Sequence, residues 1–383
     1  MPTFFKTVFE NASPVAPLGL IVLKGAEKLG KLIDSYLVTW YNNDVGDKSK
    51  RPRRNTFIIE AQCPRFSTGD GKGIIEESVR GYDIYILVDV GNYSLKYDFY
   101  GQMNAMSPDD HYADLKRIIS AAGGKAERLT VIMPILYGGR QHRRNNRESL
   151  DCAQMLQELS SMGVRDLITF DAHDPRVQNA VPLMGFDNFF PTYQMLKALV
   201  ANFPDVKIET DSFMIVSPDE GAMNRNIFYA SVLGVDLGMF YKRRDYANVI
   251  DGRNPIVAHE FIGQNVKGKD ILVADDIIAT GESILHLCGV LKKRGARNIF
   301  IIATYALFTK GTEVFDKAYL KKQFSAVIST NLSYTKDDLN GKKWFVAADL
   351  SKYIAYIISS CNQNKSVSPL LNSADRIHEL IGR

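Results

Sequence analysis

A chain of 383 residues, 45% hydrophobic and 23% charged, carries enough apolar material for two ordinary domains with separate cores and is not the composition of a disordered protein. No apolar run approaches the ~18 residues of a membrane span, and the opening MPTFFKTVFENASP lacks the basic-then-apolar order of a secretory signal, so a cytoplasmic protein with no membrane partner is expected. The net charge of +4 does not demand a nucleic-acid partner, and the four cysteines, Cys63, Cys152, Cys288 and Cys361, are too scattered for a metal cage.

In chain order, Gly19 to Trp40 predicts a strand and then an amphipathic helix. The basic run KSKRPRR, residues 48–54, has no interleaved aromatics for stacking bases and reads as a solvated loop. An apolar strand-like segment follows, then a glycine-rich hairpin at Gly69, Gly71 and Gly73. DIYILVDV predicts another strand, and residues 92 to 111 an irregular polar and aromatic excursion. Helix and strand then alternate through LTVIMPILY, ESLDCAQMLQELSSMG and DLITFDAHD. The second half repeats the pattern: FPTYQMLKALVANF helical, SFMIVSPD a strand, AMNRNIFYASVLG helical and LGMFYKRRD a strand. Residues 245 to 259 read as an irregular loop, and SKYIAYIISS as a terminal helix. Repeated αβ units predict mainly parallel sheets flanked by helices, in two domains spanning 1–180 and 181–383.

The most informative stretch is ILVADDIIATGESIL, residues 271–285. An apolar strand is followed by Asp275 and Asp276, and a Thr280-Gly281-Glu282-Ser283 turn opens into a helix. Free N–H groups at a helix start, a glycine that admits an anion to the main chain, and two hydroxyls suit a phosphate. Neighbouring residues on a strand face opposite sides, so the two carboxylates are expected to divide their work rather than act as one acid/base pair. An ordinary strand-to-helix turn remains the plainer alternative.

Other unusual segments fall at strand ends, where ligands gather in α/β sheets. Gly138-Gly139-Arg140-Gln141-His142-Arg143-Arg144, with Arg147 behind, suits polyphosphate, or else one solvated basic helix face. His173, after DLITF, and Asp219, after FMIVS, make a candidate cation pair, although a lone His is more often structural. Lys242 and Arg244 supply fixed positive charge suited to phosphoryl transfer, or else form a charged strand end.

Together these segments resemble the ribose-phosphate diphosphokinase family, the synthases of 5-phosphoribosyl 1-diphosphate. RFSTGD, ESVRG, GGRQHRR, the DAH segment, SPDEGAMNR, KRRD and EFIGQNVKGKDILVADD occur in that family's order, whereas VADDIIATGES is shared with phosphoribosyltransferases. The resemblance implies two phosphoribosyltransferase-type domains, with ATP on the N-terminal side and ribose 5-phosphate on the C-terminal side, assembled into homo-oligomers and using Mg²⁺. It implies Arg140 and Gln141 at ATP, completed by Phe66 and Asp70 of a neighbouring subunit. It places His173 and Asp219 at the metal, and Lys242 and Arg244 on the transferring group. Asp275, Asp276, Ala279, Thr280, Gly281, Glu282 and Ser283 fall to the sugar phosphate.

The chain departs from the family pattern at Thr68, Asp70, His142, Ala279 and Glu282. Glu282 brings negative charge toward a phosphate and has to point away. The expected reaction is diphosphoryl transfer from Mg·ATP to the anomeric hydroxyl of ribose 5-phosphate, releasing AMP. A silent regulatory homologue and a phosphoribosyltransferase are the alternatives.

Overall fold

The computed structural model describes residues 13–45, 52–144, 146–244 and 256–382. The chain divides into two compact units, one of residues 1–190 with 331–334 and 349–372, the other of residues 191–330 with 335–348 and 373–383. The expected boundary at residue 180 falls at the end of a 3-10 turn (Pro175–Ala180), ahead of the last strand of the first unit. Neither unit is one continuous piece of chain.

In the first unit, β1 (Leu18–Val22) leads into α1 (Glu27–Val45). Two short strands, β2 (Ala61–Gln62) and β3 (Ile74–Ile75), pair antiparallel and frame the glycine-rich hairpin. After β4 (Asp83–Leu87) the chain does not wander as expected: β5 (Lys96–Phe99) and β6 (Gln102–Ala105) form a hairpin, and α2 (Pro108–Ala122) follows at once. Ser107 starts that helix with a capping box, its hydroxyl accepting from Asp110 N–H at 3.2 Å and its own N–H donating to the Asp110 carboxylate at 2.8 Å. Then come β7 (Arg128–Ile132), α3 (Asp151–Ser161), β8 (Asp166–Phe170) and β9 (Gly185–Phe189). The main sheet has the order β1-β4-β7-β8-β9 and is parallel throughout. β1, β4, β7 and β8 are mostly apolar and buried, as a helix-covered parallel sheet requires, whereas the edge strand β9 is more polar and half-buried.

The second unit runs α4 (Thr192–Asn202), β10 (Phe213–Ser217), α5 (Met223–Leu233), β11 (Asp236–Arg244), β12 (Ile256–Ile262), β13 (Asp270–Ile278) and α6 (Glu282–Lys293). It continues with β14 (Ile299–Ala306), α7 (Glu313–Leu320), β15 (Ala326–Thr330) and β16 (Phe345–Ala348). The seven strands take the order β12-β11-β10-β13-β14-β15-β16, parallel except for the antiparallel edge strand β12. The loop expected over 245–259 is therefore strand from Ile256 onward, and residues 245–255 lie outside the described ones. The apolar helix α8 (Ser351–Asn362), expected to close the second domain, belongs with the short α9 (Ser368–Leu371) to the first unit, and α10 (Ala374–Leu380) to the second. In the first unit Trp40 of α1 stacks on Tyr356 of α8 at 4.3 Å.

Candidate active site

In the second unit β13 delivers the central turn. Ile271 to Ala274 are fully buried, and the ladder between β10 and β13 reaches Val216 opposite Val273. Past that point a buried side chain takes over. The Asn226 carboxamide, from the first turn of α5, donates to Ala274 O at 2.8 Å and accepts from Ala274 N–H at 3.3 Å. It also donates to Ala222 O at 2.8 Å and meets the Ser217 hydroxyl at 3.3 Å. Ser217 in turn donates to Asp219 O at 2.8 Å, while the Asp219 carboxylate accepts from Ala222 N–H at 3.2 Å. One carboxamide thus links the loop bearing Asp219 to the strand end bearing Asp275.

Asp275, half-buried, and Asp276, buried, keep the alternation of an extended strand, yet their charges are close enough to influence each other. The Asp275 carboxylate accepts the Asp276 N–H at 2.9 Å. Burial first, and then the neighbouring Asp276, push the Asp275 carboxyl well above the usual carboxylate range; Asp219 adds to this, and Arg225, 3.9 Å away, opposes it.

The turn itself is sewn to the segment after β14: Leu307 N–H donates to Ile278 O and Thr309 N–H to Ala279 O, both at 2.9 Å. The Thr280 hydroxyl accepts from Glu282 N–H at 3.4 Å. Gly281 has φ +82°, and a Cβ there would run into the ring of Phe315. That ring is fully buried and stacks on Trp344 at 5.4 Å, so it cannot withdraw. Glycine is therefore dictated twice, by backbone conformation and by packing. The first intrahelical bond of α6 runs from Leu285 N–H to Gly281 O at 3.0 Å, leaving the preceding N–H groups without intrahelical acceptors. Glu282, exposed at the mouth of the turn, is held by Lys310 at 2.9 Å, and Ser283 is exposed beside it.

Lys242 and Arg244 occupy the end of β11, opposite His259 and Ile256 of β12, with a register shift between Arg243 and Arg244. Their side chains lie outside the described ones.

In the first unit, residues 138–144 form turns rather than helix, so the Arg140, Arg143, Arg144 and Arg147 spacing does not make one helical face. Arg140 is exposed, and Gln141 donates to Ser149 O at 2.8 Å. His142 lies 3.5 Å from the Asp174 carboxylate with its ring 5.3 Å from that of exposed His173, and burial holds its imidazole below the ordinary histidine value. Phe66 and Asp70 close the glycine-rich hairpin, Phe66 N–H donating to Asp70 O at 2.7 Å, with the Phe66 ring 53% exposed. His173 belongs to the first unit and Asp219 to the second. Among the described residues no group of three or more His, Cys, Asp or Glu side chains is gathered to hold a metal.

Asn226 and Lys310 were missed in the sequence. A polar residue on a helix reads as solvent-facing, and Lys310 was not assigned a role; its only signal is the unusual Glu282 that it neutralises.

Residues 18–163 match the profile of the N-terminal domain of ribose phosphate pyrophosphokinase, and residues 196–335 that of the phosphoribosyl transferase domain. A ribose-phosphate pyrophosphokinase of Pasteurella multocida is 30% identical over 70% of this chain and 78% of its own length. One from Vibrio cholerae is 28% identical over 86% and 97%. The crystal structure of phosphoribosylpyrophosphate synthetase from Mycobacterium smegmatis covers 91% of this chain and 99% of its own, at 20% identity with a TM-score of 0.71, which shows a shared fold.

Proposed function

Since the chain belongs to the ribose-phosphate pyrophosphokinase family, we propose that its second unit seats ribose 5-phosphate on the turn from Asp275 to Ser283 and that its first unit serves ATP through Arg140 and Gln141. The protein transfers the diphosphoryl group of ATP to ribose 5-phosphate, giving 5-phosphoribosyl 1-diphosphate and AMP. The anomeric oxygen bonds to the β-phosphorus, the bond from that phosphorus to the bridging α,β-oxygen breaks, AMP leaves, and the anomeric hydroxyl gives up its proton. No covalent enzyme intermediate is required, because positioning and charge stabilisation suffice for such transfers.

The observation that carries this reading is the turn over 279–283: Gly281 sits against Phe315, and the N–H groups that open α6 are free of intrahelical acceptors. The 5-phosphate fits there. Lys310 draws the Glu282 carboxylate to itself, which answers the main objection to phosphate binding in this chain. Asp275 and Asp276 take the ribose hydroxyls. Lys242 and Arg244 bear on the transferring group. Phe66 and Asp70 serve the ATP of a neighbouring copy in a homo-oligomer of the cytoplasm.

Asp219 and His173 are the candidate residues for Mg²⁺. Mg²⁺ prefers oxygen donors and usually keeps several waters beside substrate phosphates, so few protein ligands are needed. When bound, Mg²⁺ offsets negative charge on the polyphosphate. Substituting Lys242→Ala or Arg244→Ala is expected to lower turnover about a hundredfold or more without unfolding the protein. Near-normal turnover in both variants removes these residues from the role.

A further inference from the structure

The β5–β6 hairpin, within the excursion of residues 92 to 111, is a segment to which the reaction gives no task. Its two strands pair from Lys96 opposite Ala105 to Phe99 opposite Gln102, and the chain reverses through Tyr100 and Gly101, both at positive φ. It is tied down at its base, where Met106 N–H donates to Leu95 O at 2.9 Å and the Tyr97 hydroxyl donates to Asp110 of α2 at 3.3 Å.

Tyr97 and Phe99 are two residues apart on one strand and so face the same way. Both meet the hairpin that carries Phe66 and Asp70. The Arg65 guanidinium lies 5.3 Å from the centre of the Tyr97 ring. A Cβ at Gly69 would come 2.5 Å from the Phe99 ring, so this ring rests directly on the main chain at the hairpin tip. From the other side Arg65 is gripped by buried Asp114 of α2, at 2.5 and 3.0 Å, and Asp114 also holds Arg117 at 2.7 Å. Within the tip, the Thr68 hydroxyl donates to the Asp70 carboxylate at 2.9 Å.

A two-stranded hairpin this small is marginally stable alone. The tip that bears Phe66 would spend much of its time open unless something held it. Tyr97 and Phe99 supply that support on one side and α2 on the other. We propose that the β5–β6 hairpin is a strut that holds the Phe66–Asp70 hairpin in the conformation used for ATP, with Tyr97 and Phe99 as its positioning residues. This rests on the reading that Phe66 and Asp70 contact ATP. It assigns the β5–β6 hairpin to nucleotide affinity and leaves the ribose 5-phosphate side untouched.

The test uses the full-length protein with Tyr97→Ala and Phe99→Ala together, and Phe99→Tyr as the conservative variant. Two readouts are taken: amide hydrogen exchange over residues 66–70, and KM for ATP against KM for ribose 5-phosphate. The double variant is expected to speed exchange in 66–70 about tenfold and raise KM for ATP about fivefold, with kcat and KM for ribose 5-phosphate within about twofold of the parent. Phe99→Tyr alone is expected to leave both at the parent's values. Unchanged exchange overturns the strut, and faster exchange with an unchanged KM for ATP overturns its service to ATP. An inactive parent protein would instead strike the proposed function, and the exchange readout would still decide whether the strut exists.

Discussion

Replacing Gly281 with alanine perturbs the turn at its tightest point. At φ +82° an L-residue costs about 1–2 kcal/mol. The new methyl also runs into the Phe315 ring, which is enclosed by Phe308 at 4.8 Å, Trp344 at 5.4 Å and Phe324 at 6.0 Å. Overpacking of this kind adds about 1–3 kcal/mol. Gly281→Ala is therefore expected to destabilise the second unit by about 2–5 kcal/mol, lowering its midpoint by roughly 4–20 °C. Trp344 is stacked on Phe315, so in a Trp40→Phe background its fluorescence reports the melting of that unit. A Phe315→Leu substitution makes room, and the double variant is expected to be at least about 1 kcal/mol more stable than the sum of the single effects. A loss under about 0.5 kcal/mol for Gly281→Ala, or strict additivity with Phe315→Leu, refutes the packing argument.

Asn226→Leu keeps the bulk but leaves the Ala274 N–H and C=O without the carboxamide. It is expected to cost about 2–4 kcal/mol in denaturant unfolding, and a loss below about 1 kcal/mol shows that the linkage is dispensable. Lys310→Met frees the Glu282 charge and is expected to raise KM for ribose 5-phosphate severalfold at low salt. Glu282→Gln should lower that KM, and neither should shift stability by more than about 0.5 kcal/mol, since both side chains are 65% exposed. Burial pushes the Asp89 carboxyl up to about 6 although it accepts from Ser333, Tyr334 N–H and Gly91 N–H. The folded form then keeps a proton that the unfolded chain has lost, so stability falls as pH rises from about 4 to about 6, by roughly 3 kcal/mol. Asp89→Asn should flatten this slope in urea unfolding, and an unchanged slope places the titration elsewhere.

The strand, turn and helix start of residues 271–285 were legible because each carries a local signal: an apolar run, a glycine and hydroxyls. The double demand on Gly281 was not, since Phe315 lies in another helix and only packing brings it there. The β5–β6 hairpin escaped notice because its reversal uses Tyr100-Gly101 rather than the Asn-Gly or Asp-Gly pair that marks such turns. The start of β12 escaped because Ile256 to His259 follow directly on the polar run of residues 245–254 and were grouped with it. The apolar helix α8 was recognised, but its sequence says only that it is buried, and not in which unit. Asn226 had no sequence signal, because a carboxamide that replaces backbone partners looks the same in sequence as one that faces water.

The central claim is that both the β- and γ-phosphates move together from ATP to the sugar. Phosphorus NMR of the protein with Mg·ATP and ribose 5-phosphate follows this directly. The account predicts AMP and 5-phosphoribosyl 1-diphosphate appearing one for one, with no ADP. Formation of ADP, or of AMP with free diphosphate and unaltered ribose 5-phosphate, would contradict it.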